Sequence, residues 1–159
     1  MVVRQAQTAD WLDLRRVRLE SLSDAPEAFG TTYAAALALS EVEWRQRAAG
    51  NTPLTYFMAY GDAGVVGLAA GVPADGRYEL ISMWVHPSQR GTGIADALVG
   101  AVVKHGLGAG HSDVSLDVSM NNPSAWRCYE RCGFVFTGHR VALGGRPETV
   151  LHRMELRAG

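Results

Sequence analysis

The chain has 159 residues, 47% of them apolar, and 15 basic against 16 acidic side chains give a formal net charge of −1. That length suits one domain, 1–159, around a substantial core, and the apolar share excludes a disordered chain. Charge is balanced and without like-charged runs, no apolar stretch reaches membrane-span length, and Arg4 and Gln5 followed by Asp10 and Asp13 do not read as a signal peptide. No nucleic acid or membrane partner is therefore expected, and the protein reads as soluble and cytoplasmic.

In chain order, Val2 to Gln5 reads as a strand. Thr8 is placed to cap a helix running to about Ser21, with Trp11, Leu14, Val17 and Leu22 among its apolar positions. After the loop Ser23 to Gly30, Thr31 to Leu39 reads as a short helix, and Ser40 with Glu43 forms a capping box for another that runs to about Ala49. Strands follow at Leu54 to Tyr60 and Val65 to Val72, joined by Gly61-Asp62-Ala63-Gly64, and then at Tyr78 to Val85 after a turn over Pro73 to Gly76. A helix from about Thr92 to His105 has apolar positions Ile94, Ala97, Leu98, Ala101 and Val102 at helical spacing. The glycine-rich Gly106 to Gly110 leads to a strand Asp113 to Val118, a helix Pro123 to Cys132, and strands Phe134 to Leu143 and Thr149 to Leu156 about a Gly144-Gly145-Arg146-Pro147 turn. The sum is an α/β protein with a mixed sheet.

The segment Val85 to Ala95 carries the clearest chemical signal. A strand runs into a turn bearing Gly91 and Gly93, and the turn opens a helix whose first N–H groups have no partner of their own. That arrangement suits an anionic ligand, and the helix dipole contributes roughly 0.3 to 1 kcal/mol to holding it. A plain strand-to-helix connection is the alternative. Asp96 stands where a dinucleotide motif needs its third glycine, and no Gly-Lys-Ser/Thr loop is present, so neither common nucleotide motif applies.

A second pattern opens the last helix. Asn122-Pro123-Ser124-Ala125 begins it, Ala125, Cys128, Tyr129 and Cys132 share one face, and Gly133-Phe134 ends it, with Pro and Gly at their favoured boundary positions. Two thiols without a histidine pattern do not make a zinc site, so no metal is expected and the cysteines read as buried core thiols.

Taken together, the two segments resemble the GNAT superfamily of N-acetyltransferases. Arg90-Gly91-Thr92-Gly93-Ile94-Ala95 matches the family's Gln/Arg-x-x-Gly-x-Gly/Ala cofactor motif. Asn122, Ala125, Tyr129, Gly133 and Phe134 match its Asn-x-x-Ala-x-x-x-Tyr-x-x-x-Gly-Phe pattern, with Cys128 where leucine or phenylalanine is common. The loop Ala25 to Gly30 resembles small, stand-alone bacterial members. The resemblance implies a GNAT fold, a mostly antiparallel sheet of about seven strands with flanking helices, and direct transfer of an acetyl group from acetyl-CoA to a primary amine within a ternary complex. It implies that the backbone of Met83, Trp84 and Val85 holds the pantetheine arm, that N–H groups from Arg90 to Ala95 take the pyrophosphate, and that Asn122 and Ser124 approach the arm from the other side. Dimers are frequent in the family, which leaves a homodimer open. A non-catalytic acyl-CoA-binding or sensing module of the same fold is the alternative function.

Transfer to an amine requires a neutral nitrogen. For a lysine-like acceptor with a pKa of about 10.4, the cost of deprotonation at pH 7 is about 4 kcal/mol. Glu79 is the candidate base, since by alternation it shares a face with Ile81, Met83 and Val85 and should be partly desolvated. His86, His111 and Asp117 are alternatives. Tyr129, by the resemblance, protonates the leaving thiolate. Glu27, Phe29, Tyr33 and residues 141 to 149 are candidates for the acceptor wall, and the acceptor itself, a small-molecule or peptide amine, is not specified.

Overall fold

The computed structural model describes residues 1–144 and 146–157. Seven strands form one sheet in the order β1-β2-β3-β4-β5-β7-β6: β1 (Val2–Gln5), β2 (Thr55–Gly61), β3 (Gly64–Ala74), β4 (Arg77–Val85), β5 (Asp113–Val118), β6 (Val135–Leu143) and β7 (Arg146–Arg157). All neighbours are antiparallel except β4 and β5. The predicted mixed, mostly antiparallel seven-stranded sheet is the one observed. Gly145 of the predicted last turn, and residues 158–159, lie outside the described residues.

Among the described residues, five α-helices flank the sheet: α1 (Trp11–Asp24), α2 (Tyr33–Leu37), α3 (Glu41–Ala49), α4 (Ile94–Gly108) and α5 (Pro123–Arg131). Alternation along the strands divides the apolar residues between two cores. Phe57 and Ala59 of β2 and Ala69 of β3 join Ile94, Leu98, Val99 and Val102 of α4 and Tyr129 of α5. Their neighbours Tyr56, Met58, Leu68 and Ala70 join Leu14, Val17 and Leu22 of α1 and Trp44 of α3 on the other face. Close approach depends on two glycines, since a Cβ at Gly71 or Gly106 would lie 2.3 or 2.4 Å from the Tyr78 side chain.

The local signals at α3 and α5 hold. Ser40 Oγ accepts the Glu43 N–H and the Glu43 carboxylate accepts the Ser40 N–H, each at 3.1 Å. Asn122 Oδ1 accepts the Ala125 N–H, and Gly133 beyond α5 has φ +101°. At α1 the expected Thr8 cap is absent. Residues Thr8–Asp10 form a 3-10 turn, and the capping box is made by Gln7 and Asp10 instead. The carboxylate of Asp10 wins this role because it accepts the Gln7 N–H at 2.8 Å while taking both guanidinium nitrogens of Arg4 at 2.9 Å. Helix α4 likewise begins at Ile94, two residues later than Thr92, because Gly91 and Gly93 are both left-handed, with φ +81° and +87°.

Candidate active site in a gap through the sheet

The parallel pair β4–β5 is bonded at Tyr78↔Val114 and Glu79↔Ser115, yet β4 continues to Val85 and β5 to Val118. Past Glu79 the two strands part. A cavity of about 1280 Å³ occupies the gap, lined from one face by Arg18, Trp44 and Tyr56 and from the other by Ala95, Cys128 and Tyr129. The opening therefore joins the two faces of the sheet, and the edge of β4 beside it is free to pair with an extended ligand.

A bulge in β4 makes this edge irregular. Ser82 has φ +56°, and the pairing with β3 slips between Ile81↔Ala70 and Trp84↔Leu68. A non-glycine residue held there costs about 1–3 kcal/mol, supplied by the strand packing on either side. The bulge also corrects the expected alternation. Glu79 shares its face with Ile81, but Met83 and Val85 point to the α4–α5 side and Trp84 to the α1–α3 side, because one extra residue reverses every side chain beyond it.

Around the gap, the predicted residues fall into distinct groups. Glu27, Phe29, Glu79, Met83, Trp84, Val85, Arg90, Ala95, Asn122, Ser124 and Tyr129 all line the cavity, as do Val141, Ala142, Leu143, Gly144 and Thr149 of the last hairpin. Tyr33 does not: it stands 44% exposed on α2, outside the lining. Gly91, Thr92 and Gly93 are exposed in the turn ahead of α4, whereas the Ile94 side chain is buried in the core beneath it. The Trp84 indole is also buried, in the other core. For both residues only the main chain remains for a ligand.

The turn fits a phosphate-bearing group. A Cβ built on Gly91 or Gly93 would meet nothing within 4 Å, so their left-handed backbone borders open space. The first intrahelical bond runs from the Ala97 N–H to the Gly93 carbonyl at 3.1 Å, leaving the N–H groups of Ile94, Ala95 and Asp96 ahead of it. The Arg90 side chain is hydrogen-bonded within the protein. Its Nε donates to the Val85 carbonyl at 3.0 Å and its Nη2 to Asp24 Oδ2 at 2.9 Å. Asp24 also accepts the Trp84 Nε1–H at 2.9 Å, and that bond, with Arg90's, lowers its pKa. Sequence reasoning missed Asp24, which ties the end of α1 to both the end of β4 and the turn.

Glu79 is half-buried, and burial, reinforced by the charge of Asp117, raises its pKa from its ordinary value, with Arg77 and Arg153 pulling the other way. Asp117 itself is held by Arg153 at 3.0 and 3.3 Å. His86 accepts the Ser88 N–H at 3.1 Å and lies outside the lining, while His111 packs on Tyr78 with ring centroids 5.1 Å apart. Tyr129 is 8% exposed, edge-on to Phe134, and burial raises the pKa of its phenol, which keeps it protonated. The neighbouring Cys128 Sγ donates to Asp96 Oδ1 at 3.1 Å, and burial pushes its thiol up to about 12. Asp96, Cys128 and Cys132 bring three potential ligand atoms within 4.8 Å of one another, but Cys132 is raised too, and a thiol must lose its proton to bind a metal.

Arg18 is the other residue missed. It falls at i+4 from Leu14 and i−4 from Leu22 on the buried stripe of α1, a spacing visible in the sequence. Only 8% exposed, it lies over the Phe29 ring at 4.7 Å, and burial lowers its pKa without making it neutral at any ordinary pH.

Residues 14–134 match the model of the acetyltransferase (GNAT) family. The chain belongs to that family. Human N-acetyltransferase 8B is 35% identical over 89 residues, 52% of this chain and 39% of that protein, so the GNAT chain spans well under half the length of this curated relative. Among solved structures, spermidine N-acetyltransferase of Vibrio cholerae in complex with CoA and spermine superposes with TM-score 0.72 at 20% identity, covering 98% of this chain and 94% of that one. The yncA protein of Salmonella typhimurium with its cofactor acetyl-CoA gives TM-score 0.71 at 18% identity over 99% and 93%. At these identities the structures establish the GNAT fold. Among the described residues, no helix is long and apolar enough to cross a membrane.

Proposed function

We propose that the chain transfers the acetyl group of acetyl-CoA directly to a primary amine, both substrates meeting in the gap between β4 and β5. The observation that carries this reading is the gap itself, which brings a protonated tyrosine, a raised carboxylate and an unpaired strand edge to one cavity. Acetyl-CoA supplies the thioester, whose carbonyl an amine can attack. The turn Arg90 to Ala95 receives its pyrophosphate through N–H groups, and the free edge of β4 at Met83 and Val85 holds the pantetheine arm. Because Arg90 occupies the Val85 carbonyl, the hydrogen bond offered to the arm there is an N–H. Asn122 contributes through its side-chain amide N–H, its oxygen being taken by the cap of α5.

Glu79 accepts the proton of the incoming ammonium, directly or through one water. Its raised pKa brings it nearer that of an amine, which makes proton transfer less uphill. As the N–C bond forms and the C–S bond breaks, Tyr129 gives its phenol proton to the departing thiolate, and the second proton shed by the attacking nitrogen restores the phenol. Incubating the protein with acetyl-CoA and a panel of primary amines and following thiol release tests the whole reading. Amine-dependent release is expected, and tight acetyl-CoA binding with no release across the panel would leave only a binding module.

A further inference from the structure

On the α1–α3 side the cavity wall carries two cations and an indole N–H among apolar side chains. Arg18 and Arg47 both line it, with Trp44, Tyr56, Leu39 and Leu54 between them. Buried Arg18 donates weakly to Ser21 Oγ at 3.4 Å, and that oxygen already bonds the Arg18 carbonyl at 2.7 Å. The titratable groups acting on it are Tyr56 and a second cation, Arg47. Arg47 donates to the Tyr56 hydroxyl at 3.3 Å and stands over the Trp44 ring at 5.6 Å. The Trp44 indole N–H, on a side chain only 1% exposed, has no partner.

Among the described residues no carboxylate pairs with Arg18 or Arg47, although four carboxylates line the same cavity. Asp24 is taken by Arg90 and Asp117 by Arg153, Glu79 lies in the polar strip beside Arg77 and Asp117, and Glu27 is exposed on the loop after α1. A buried cation without an anion is costly, and an indole N–H without an acceptor adds to the cost. An acceptor-rich anion matches these donors. Arg18 and Glu79 lie toward the same α1–α3 face, since Glu79 alternates with Tyr78 and Leu80 of the opposite core. An acceptor lying along this face can hold its amine at Glu79 and its anionic group at the arginines.

Resting on the acetyl-transfer reading, we propose that the acceptor is a primary amine that also carries a carboxylate, an amino acid or short peptide with an apolar side chain, whose carboxylate is bound by Arg18 and Arg47. This chemistry disfavours a polyamine, whose second cation would face two arginines. The planar fork of arginine suits a carboxylate in two-point contact.

The test compares L-phenylalanine with phenethylamine, L-leucine with isoamylamine, and both with spermidine. Thiol release with acetyl-CoA is one readout and calorimetric binding to the CoA-loaded protein is the other. Each amino acid should exceed its decarboxylated twin at least tenfold in kcat/KM and in affinity. Arg18→Gln should raise KM for L-phenylalanine at least tenfold with a smaller change in kcat, Arg18→Lys should recover part of that loss, and Arg47→Gln, at a less buried position, should give a severalfold increase if the Arg18 variants fail to fold. Equal or better use or binding of the twins or of spermidine, or no interaction with any amino acid, overturns the proposal. Preferential binding of the amino acids without thiol release supports the carboxylate site at Arg18 and Arg47 and overturns the transfer reading. Thiol release without preference does the reverse.

Discussion

The two faces of the sheet approach the gap with different parts of the chain. From the α4–α5 side come a turn, a helix N-terminus and a bare strand edge, so what is offered there is mostly main chain. From the α1–α3 side come Arg18, Arg47, Trp44, Tyr56 and Glu79, all side chains. A main-chain site constrains the sequence only where the backbone is unusual, as at Gly91 and Gly93. A side-chain site changes with each substitution. The first face suits a donor, and the second can be altered to change the acceptor without disturbing the first.

Tyr129 is the side chain that the α4–α5 face contributes to the proposed chemistry, and its removal gives the largest expected effect. Tyr129→Phe keeps the ring packed against Phe134 but removes that side chain's hydroxyl, the atom from which it would donate a proton. We expect kcat to fall about 100-fold or more, within the range of general acid catalysis, while the KM for acetyl-CoA stays within about twofold. Steady-state kinetics decide it. An unchanged kcat would assign Tyr129 to packing alone.

Next is Glu79, on the acceptor side. Glu79→Gln should lower kcat/KM for the amine by about 10- to 100-fold at pH 7. A base must be ionised, so activity should rise with pH through the Glu79 pKa, which burial and Asp117 have raised. Asp117→Asn removes that neighbouring charge and releases Arg153 to act on Glu79, and both changes favour the ionised form. The acidic limb of the pH profile should therefore move to lower pH. Movement the other way, or none, would separate the limb from Glu79.

How legible each face was follows the same division. Local rules found the turn, the Ser40–Glu43 box and both boundaries of α5, because each is enforced within a few residues of chain. The bulge at Ser82 was invisible, since it arises from the register of β4 on β3, and period-two counting then put Met83 and Val85 beside Glu79 in error. Thr8 lost its expected cap to Asp10 because Arg4, on β1, also needs that carboxylate. Tyr33 was placed on the wall by its neighbourhood in sequence, and α2 turns it outward. Arg18 could have been found, because a cation on the Leu14–Leu22 stripe breaks the pattern, but its lack of an anionic partner is a property of the assembled cavity.

On the main-chain side, Gly93→Ala makes a smaller change than the usual bulky replacement and a cleaner one. Its added Cβ meets nothing within 4 Å, so the cost is that of the left-handed backbone at φ +87°, about 1 kcal/mol. The turn can relieve this only by moving its N–H groups. Calorimetry should show acetyl-CoA affinity falling about fivefold, with amino acid binding to the variant little altered. Gly100→Ala, in open space within α4, is the control and should raise stability by about 0.4 to 1 kcal/mol without changing affinity.

The smallest effect concerns what holds the side-chain face in place. Asp10 joins the start of α1 to β1 through Arg4, and chiefly that hydrogen-bonded pairing lowers its pKa from 3.8 to about 2. A carboxyl depressed on folding stabilises the native state above its unfolded value and loses that contribution as pH falls through the folded one. Asp10→Asn should therefore lower stability by about 1 kcal/mol near neutrality, a drop in Tm of about 2 to 4 °C for a chain of this length. The gap between wild type and variant should be constant from pH 7 to about 5, narrow below 4 and close near 2. Because Asp10 anchors the helix that carries Arg18, amide exchange in the variant should quicken first in α1, with α4 following only when the whole chain unfolds. Equal acceleration in both helices would mean that the two faces are stabilised as one unit, and that only their chemistry divides them.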